Sequence, residues 1–194
     1  STTKILTALI AIENTDLDEI VTVADEAGVD QFAEDESTCG IEAGDKLTMK
    51  DLLYGMLLES GNDNAAAIAY HISGSMDDFA DLMNKRAKEL LATHSHFVNS
   101  NGLQDEDHYT TAYDLSLIAR YCMKNSTFRY MVSQKTCHIN ATNKYDERTF
   151  TNTNDLLRVN NTNRKDNYYY KYAIGIKTGY TSQAKNCLIS ASNK

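Results

Sequence analysis

At 194 residues, 42% apolar and 24% charged, the chain has enough material for one sizeable core and the balance of a water-facing globular domain. A net charge of −8 argues against a nucleic-acid partner, and no apolar run approaches the ~18 residues that span a bilayer. Position 1 already opens a helix, so no signal peptide is expected. The average hides an asymmetry: residues 13–63 hold fifteen acids against two bases, and residues 120–194 thirteen bases against four acids, a basic third able to attract an anion. The four cysteines (Cys39, Cys122, Cys137, Cys187) lack C-x-x-C spacing, and free, mostly buried thiols are expected. The pair His94-x-His96 has no third ligand nearby, so no metal is implied. Proline is absent, leaving turns to Gly, Asn and Asp.

In chain order, Ser1-Thr2-Thr3-Lys4 opens the apolar stretch Ile5 to Ile12, a helix predicted to end near Glu13-Asn14. Ser1 and Lys4 share a face, which brings an amine within reach of a hydroxyl; alone, the pattern equally suits a serine N-cap followed by a solvated lysine. Residues 15–46 read as irregular and acidic, with a short strand at Glu19–Val23. Thr48 with Asp51 caps a helix from Lys50 to about Glu59, stopped at Ser60-Gly61-Asn62. A small-residue helix follows through Ala65–Ala69. Ser75 with Asp78 caps the next, to about Ala92, with Phe79, Leu82, Met83, Leu90 and Leu91 as its core face. Residues 93–110 read as a polar loop, and Thr111 with Asp114 caps a helix to about Met123 that buries Leu115, Ile118 and Cys122. Eight asparagines between Asn140 and Asn167 predict loop and turn. Tyr168–Lys177 and Cys187–Ala191 read as two strands of a hairpin turning at Thr178-Gly179. The basic, tyrosine-rich Arg164–Tyr172 stretch is expected to be a strand with solvated lysines, with glycan contact as the alternative. Helices in the middle and strands at the end give an α+β class.

Three short motifs stand in order: Ser1-Thr2-Thr3-Lys4, Ser60-Gly61-Asn62 and Lys177-Thr178-Gly179. Each alone is weak. Together they suit acyl transfer, with Ser1 as nucleophile, Lys4 as its base, and Ser60 returning the proton to the leaving amine. Asn62 can bond a substrate amide and the Lys4 ammonium. Lys177 adds a second cation that depresses the Lys4 pKa and attracts a terminal carboxylate, to which Thr178 can donate. Gly179 lets substrate lie along the strand, and the amides of Ser1 and Tyr180 suit the oxyanion.

The motif set resembles that of penicillin-binding proteins and class A β-lactamases. Longer stretches (Thr3 to Leu9, Asp51 to Asp63, Gly175 to Thr181, and more weakly Phe97-Val98-Asn99 with Gly102-Leu103, and Asn152 to Leu157) resemble the D-alanyl-D-alanine carboxypeptidases of serine peptidase family S11. The resemblance implies a serine β-lactamase/DD-peptidase fold, an antiparallel sheet flanked by helices, incomplete at both ends. It implies one catalytic domain over 1–194, with upstream strands, C-terminal sheet, second domain and anchor outside the chain. It further implies removal of the terminal D-alanine from peptidoglycan stem pentapeptides through an acyl-serine, without a cofactor, and acylation by β-lactams. An extracytoplasmic location follows, with membrane association only through segments outside this chain. Ser100-Asn101 stands where the family carries Pro-His, and Ala184-Lys185 where it carries Ala-Gly; these departures are expected to bear on specificity more than chemistry. Three alternatives remain. A class A-like β-lactamase would need a water-positioning glutamate in an E-x-x-L-N pattern, which the acids between the second and third motifs do not show. A hydrolase using the Ser1 α-amine as base leaves Lys4 and both later motifs unused. A penicillin-binding sensor would acylate without turnover.

Overall fold

The computed structural model describes residues 1–158 and 168–194. Its centre is α1 (Lys4–Asn14), in which every residue from Lys4 to Ala11 is buried. A helix apolar around its circumference is stable only when enclosed, and α3 (Asn62–Ser73), α4 (Met76–Glu89), α5 (Ala112–Cys122) and α6 (Ser126–Ser133) pack around it. The predicted caps form: Thr48, Ser75 and Thr111 each accept the backbone N–H three residues on, at 3.1, 3.1 and 3.0 Å, an arrangement that contributes about 1 kcal/mol per helix. Thr48 starts α2 (Met49–Tyr54), which buries Leu52 and Leu53. The helix then widens into a π turn over Gly55–Glu59 and ends on Ser60 in the left-handed region, φ 66° and ψ 28°. In α3 the run Ala65–Ala69 is fully enclosed against α1 and α2, as its small side chains allow.

Strands form three antiparallel pairs among the described residues: β1 (Ile20–Thr22) with β2 (Lys46–Thr48), β3 (Thr136–Ile139) with β4 (Arg148–Thr151), and β5 (Ala173–Thr181) with β6 (Lys185–Ser192). The class is α+β, as the element order predicts.

Several expectations need correction. The K-T-G motif neither ends a strand nor turns it: Lys177, Thr178 and Gly179 pair with Ile189, Leu188 and Cys187 inside β5–β6. The chain turns at Ser182–Ala184, closed by Lys185 at φ 58°. A residue beyond a hairpin loop that needs positive φ is ordinarily glycine, so the lysine there obscures the turn in the sequence. The β5 strand begins at Ala173, not Tyr168, and Arg164–Asn167 lie outside the described residues. Leu91, assigned to the core face of α4, is 72% exposed, because the helix ends at Glu89 and Leu91 adopts φ 64°. The β3–β4 hairpin and α6 come from polar or short segments without a clear period. Of the four free thiols only Cys122 is fully buried.

Candidate active site

Lys4 is 0% exposed, so it is not the solvated lysine of a simple cap. Its ammonium donates to Asn62 Oδ1 at 2.7 Å and to the Asn101 carbonyl at 2.8 Å. Desolvation pulls its pKa down to about 8, opposed by a hydrogen bond with the Ser1 amine and by the Asp63 carboxylate. An amine with two N–H bonds directed at fixed oxygens keeps its lone pair free once it loses a proton. Ser1 lies one turn back; its Oγ is 3.2 Å from both Thr3 Oγ1 and the Thr3 N–H.

Asn62 is held in turn from below. It opens α3, its own N–H donates to the Ser37 carbonyl at 2.8 Å, and the neighbouring Asp63 is fully buried. The Asp63 carboxylate accepts the N–H groups of Cys39 (2.9 Å), Ile41 (3.0 Å) and Asn64 (2.9 Å). This ties the irregular 37–41 segment to the second motif. Burial raises the Asp63 pKa, with those N–H bonds acting against it. Ser60 precedes this pair in its strained left-handed conformation, half-buried, and no hydrogen bond joins its hydroxyl to Ser1 or Lys4 among the described residues. For a non-glycine residue that conformation costs on the order of 1–3 kcal/mol, and it recurs at functional sites.

The third motif arrives on β5. Lys177 is 1% exposed, donates to the Thr178 carbonyl at 2.9 Å, and has its pKa lowered to about 7 by desolvation and then by Lys4. Thr178 Oγ1 lies 2.6 Å from Thr153 Oγ1. A Cβ on Gly179 would sit 3.0 Å from the Thr2 nitrogen and 3.2 Å from Ser1, so a side chain here would push the strand and the nucleophile's turn apart by a few tenths of an ångström. Tyr180, 64% exposed, follows at the mouth of an open cleft of about 770 Å³ that Ser1, Thr3, Gly102, His108 and Gly179 also line. Ser1, Lys4, Asn62, Lys177, Thr178, Gly179 and Tyr180 are thus gathered in one place, with Ser60 beside them on the second motif.

Four contributors are absent from the sequence-level site. The Asn101 carbonyl holds Lys4, a backbone contact that no side-chain pattern reveals and that any residue at this position would supply. Gly102, at φ 76°, leaves room for Ser1, whose Oγ would collide with any Cβ there. Thr153 engages Thr178, and Asp63 anchors the second motif. The available signal was position: each lies in or beside a stretch that matches the family, without a chemical role assigned to it.

The comparisons with known proteins agree. The family model described as D-alanyl-D-alanine carboxypeptidase (peptidase S11) matches residues 1–194. The D-alanyl-D-alanine carboxypeptidase DacF of Bacillus subtilis is 35% identical over 196 residues, covering 100% of this chain and 47% of that protein. A D-alanyl-D-alanine carboxypeptidase of Streptomyces sp. K15 is 36% identical over 206 residues, covering 100% and 67%. The crystal structure of the Streptomyces K15 DD-transpeptidase superposes with a TM-score of 0.87 at 36% identity, over 100% of this chain and 75% of that one. That of a D-alanyl-D-alanine carboxypeptidase from Mycobacterium tuberculosis superposes at 0.84 and 32% identity, over 100% and 68%. The chain spans about half the length of the Bacillus relative and shares the DD-peptidase fold of these structures. With the first motif bonded to the second through Lys4 and Asn62, the third abutting Ser1 at Gly179, and a family match from end to end, the chain belongs to the D-alanyl-D-alanine carboxypeptidases of serine peptidase family S11.

Proposed function

We propose that the protein is a serine-type D-alanyl-D-alanine carboxypeptidase, acting outside the cytoplasm on peptidoglycan stem peptides and acylated by β-lactams. The observation that carries this is the buried Lys4 amine, fixed by Asn62 and Asn101 beside Ser1 and brought down to about 8. At pH 7 a lysine with that pKa is neutral in about a tenth of molecules, against fewer than one in a thousand for an ordinary lysine. Lys4 takes the Ser1 proton as Oγ attacks the penultimate D-alanine carbonyl. The oxyanion is received by an N–H of the Ser1 amine and the backbone N–H of Tyr180. Collapse expels D-alanine, protonated through Ser60, and water then hydrolyses the acyl-serine. Lys177 and Thr178 receive the terminal carboxylate; the buried, partly uncompensated cation supplies the attraction. The Thr153–Thr178 pair places a second hydroxyl at the same point. No helix among the described residues is long and apolar enough to cross a membrane.

The test is covalent labelling. Incubation with a β-lactam is expected to add one equivalent by intact mass, lost in Ser1→Ala, and a pentapeptide ending in D-Ala-D-Ala is expected to release D-alanine. An adduct that survives Ser1→Ala overturns the nucleophile. Acylation without D-alanine release makes the protein a sensor, and rapid penicillin turnover makes it a β-lactamase.

A further inference from the structure

The segment from Phe97 to His108 leaves the core, crosses the first turns of α1 and returns. On the outward pass it touches α1 twice and the turn before it once: Thr7 Oγ1 donates to the Ser100 carbonyl at 2.6 Å, Lys4 to the Asn101 carbonyl at 2.8 Å, and Gly102 abuts Ser1. Its outer residues, Gln104 to Asp107, are exposed. At the return end stands His108, half-buried and edge-on to the Phe97 ring at 5.5 Å. Its Nδ1 lies 3.2 Å from the Val98 N–H and its Nε2 2.9 Å from Thr3 Oγ1. Because a backbone N–H can only donate, Nδ1 must accept and Nε2 must carry the proton, which then goes to Thr3. One imidazole therefore joins the start of the loop, its end, and the turn between Ser1 and Lys4.

We infer that His108 is a positioning residue for the acylation centre: by bridging Val98 and Thr3 it clamps the loop onto α1, so that the Asn101 carbonyl stays on Lys4 and Gly102 stays against Ser1. The inference deepens the carboxypeptidase reading and rests on it for its catalytic consequence. Its structural content stands on the contacts alone. Burial keeps the imidazole neutral by lowering its pKa to about 4, against the pull of Asp105 and with His96 and the Ser1 amine acting in the same direction as burial. A neutral ring can hold both bonds at once, since a protonated one has no acceptor for Val98. Other ties hold the loop as well: Asn84 to Phe97 and the His96–Tyr109 backbone pair fix its base, Thr7 and Met76 Sδ meet the Ser100 backbone, and Asn99 Oδ1 accepts the Gly102 N–H; His108 adds the link from the two ends of the loop to Thr3.

The experiment is a double-mutant cycle on His108→Ala and Thr3→Val, with two readouts: the rate of Ser1 acylation by a fluorescent penicillin, and amide hydrogen exchange at residues 98–103. Each single variant is expected to slow acylation by about 10- to 100-fold, as small misplacements of reacting groups do. The double variant should lose no more than either single. Exchange at 98–103 should rise equally in all three, and the low-pH limb of acylation should move upward as Lys4 regains water. His108→Gln, whose amide can both donate and accept, should recover most of the rate. Losses that add, or unchanged exchange in Thr3→Val, overturn the clamp; Thr3→Val keeps the shape of threonine and serves if His108→Ala does not fold. If the parent protein is not acylated at all, the carboxypeptidase reading falls, and the exchange cycle alone decides the clamp.

Discussion

The helix side and the strand side of the cleft each bury one lysine, and they treat it differently. Lys4 on α1 is met by two oxygens, one from the start of α3 and one from the 97–108 loop, with Asp63 nearby. Lys177 on β5 is as deeply buried but, among the described residues, bonds only the carbonyl of its own neighbour, and its pKa falls further, to about 7 against about 8. Burial lowers both. The helix side offsets the cost with fixed acceptors, which also fix direction, as a base requires. The strand side leaves the cation short of partners, so an incoming carboxylate gains what the protein withholds. In the proposed reaction Lys4 is the oriented base, and Lys177, whose pKa is the lower of the two, regains and holds its charge when a substrate carboxylate arrives.

The largest expected effect comes from exchanging each lysine for arginine. Guanidinium does not deprotonate in proteins, so Lys4→Arg should reduce β-lactam acylation by at least about 10³-fold, in line with removal of a positioned base. Lys177→Arg keeps a cation and should lose far less, mostly as weaker binding, while Lys177→Ala should lose more. Equal losses for the two arginine variants, measured by stopped-flow labelling, would break the distinction between base and anchor.

The pH profile sharpens it. Acylation of the free protein needs Lys4 neutral and Lys177 charged. Below about 7 the rate should rise roughly tenfold per pH unit as Lys4 deprotonates, and above about 8 it should fall as Lys177 loses its charge. The two amines influence one another, so the limbs belong to the pair. A bell with its maximum between pH 7 and 8 is expected. A profile still rising at pH 9 would mean that the charge of Lys177 is not needed.

The smallest effect is on the strand side alone. Lys185 closes the β5–β6 turn at φ 58°, a conformation that penalises any side chain with a Cβ. Lys185→Gly should stabilise the protein by up to about 1 kcal/mol in thermal unfolding with little change in acylation, because the residue is exposed and pairs with Thr181 at the turn, away from the Lys177–Ile189 pair. Loss of stability would show that the lysine side chain does something its exposed position does not reveal.

Legibility in the sequence followed the kind of interaction. The caps at Thr48, Ser75 and Thr111 are local, three residues from donor to acceptor, and were readable at once. The apolar stretch Ile5 to Ile12 marked the first helix, and the three motifs named Ser1, Lys4, Asn62 and Lys177. What escaped was backbone and long-range. The Asn101 carbonyl acts 97 residues from Lys4 and carries no side-chain signature. Asp63 looked like one more acid in an acidic stretch until the fold set three N–H groups around it. The turn at Ser182–Ala184 was hidden because a lysine holds the place glycine usually takes.

The sequence by itself determined the capped helices and the three motifs that suit acyl transfer, since capping and motif identity are local properties. Only the tertiary structure decided how Lys4 and Lys177 differ. Both are lysines, each beside a small polar partner in the chain. Both are equally buried; they differ in which oxygens the fold places against each amine, two from distant segments for Lys4 and the neighbouring carbonyl for Lys177.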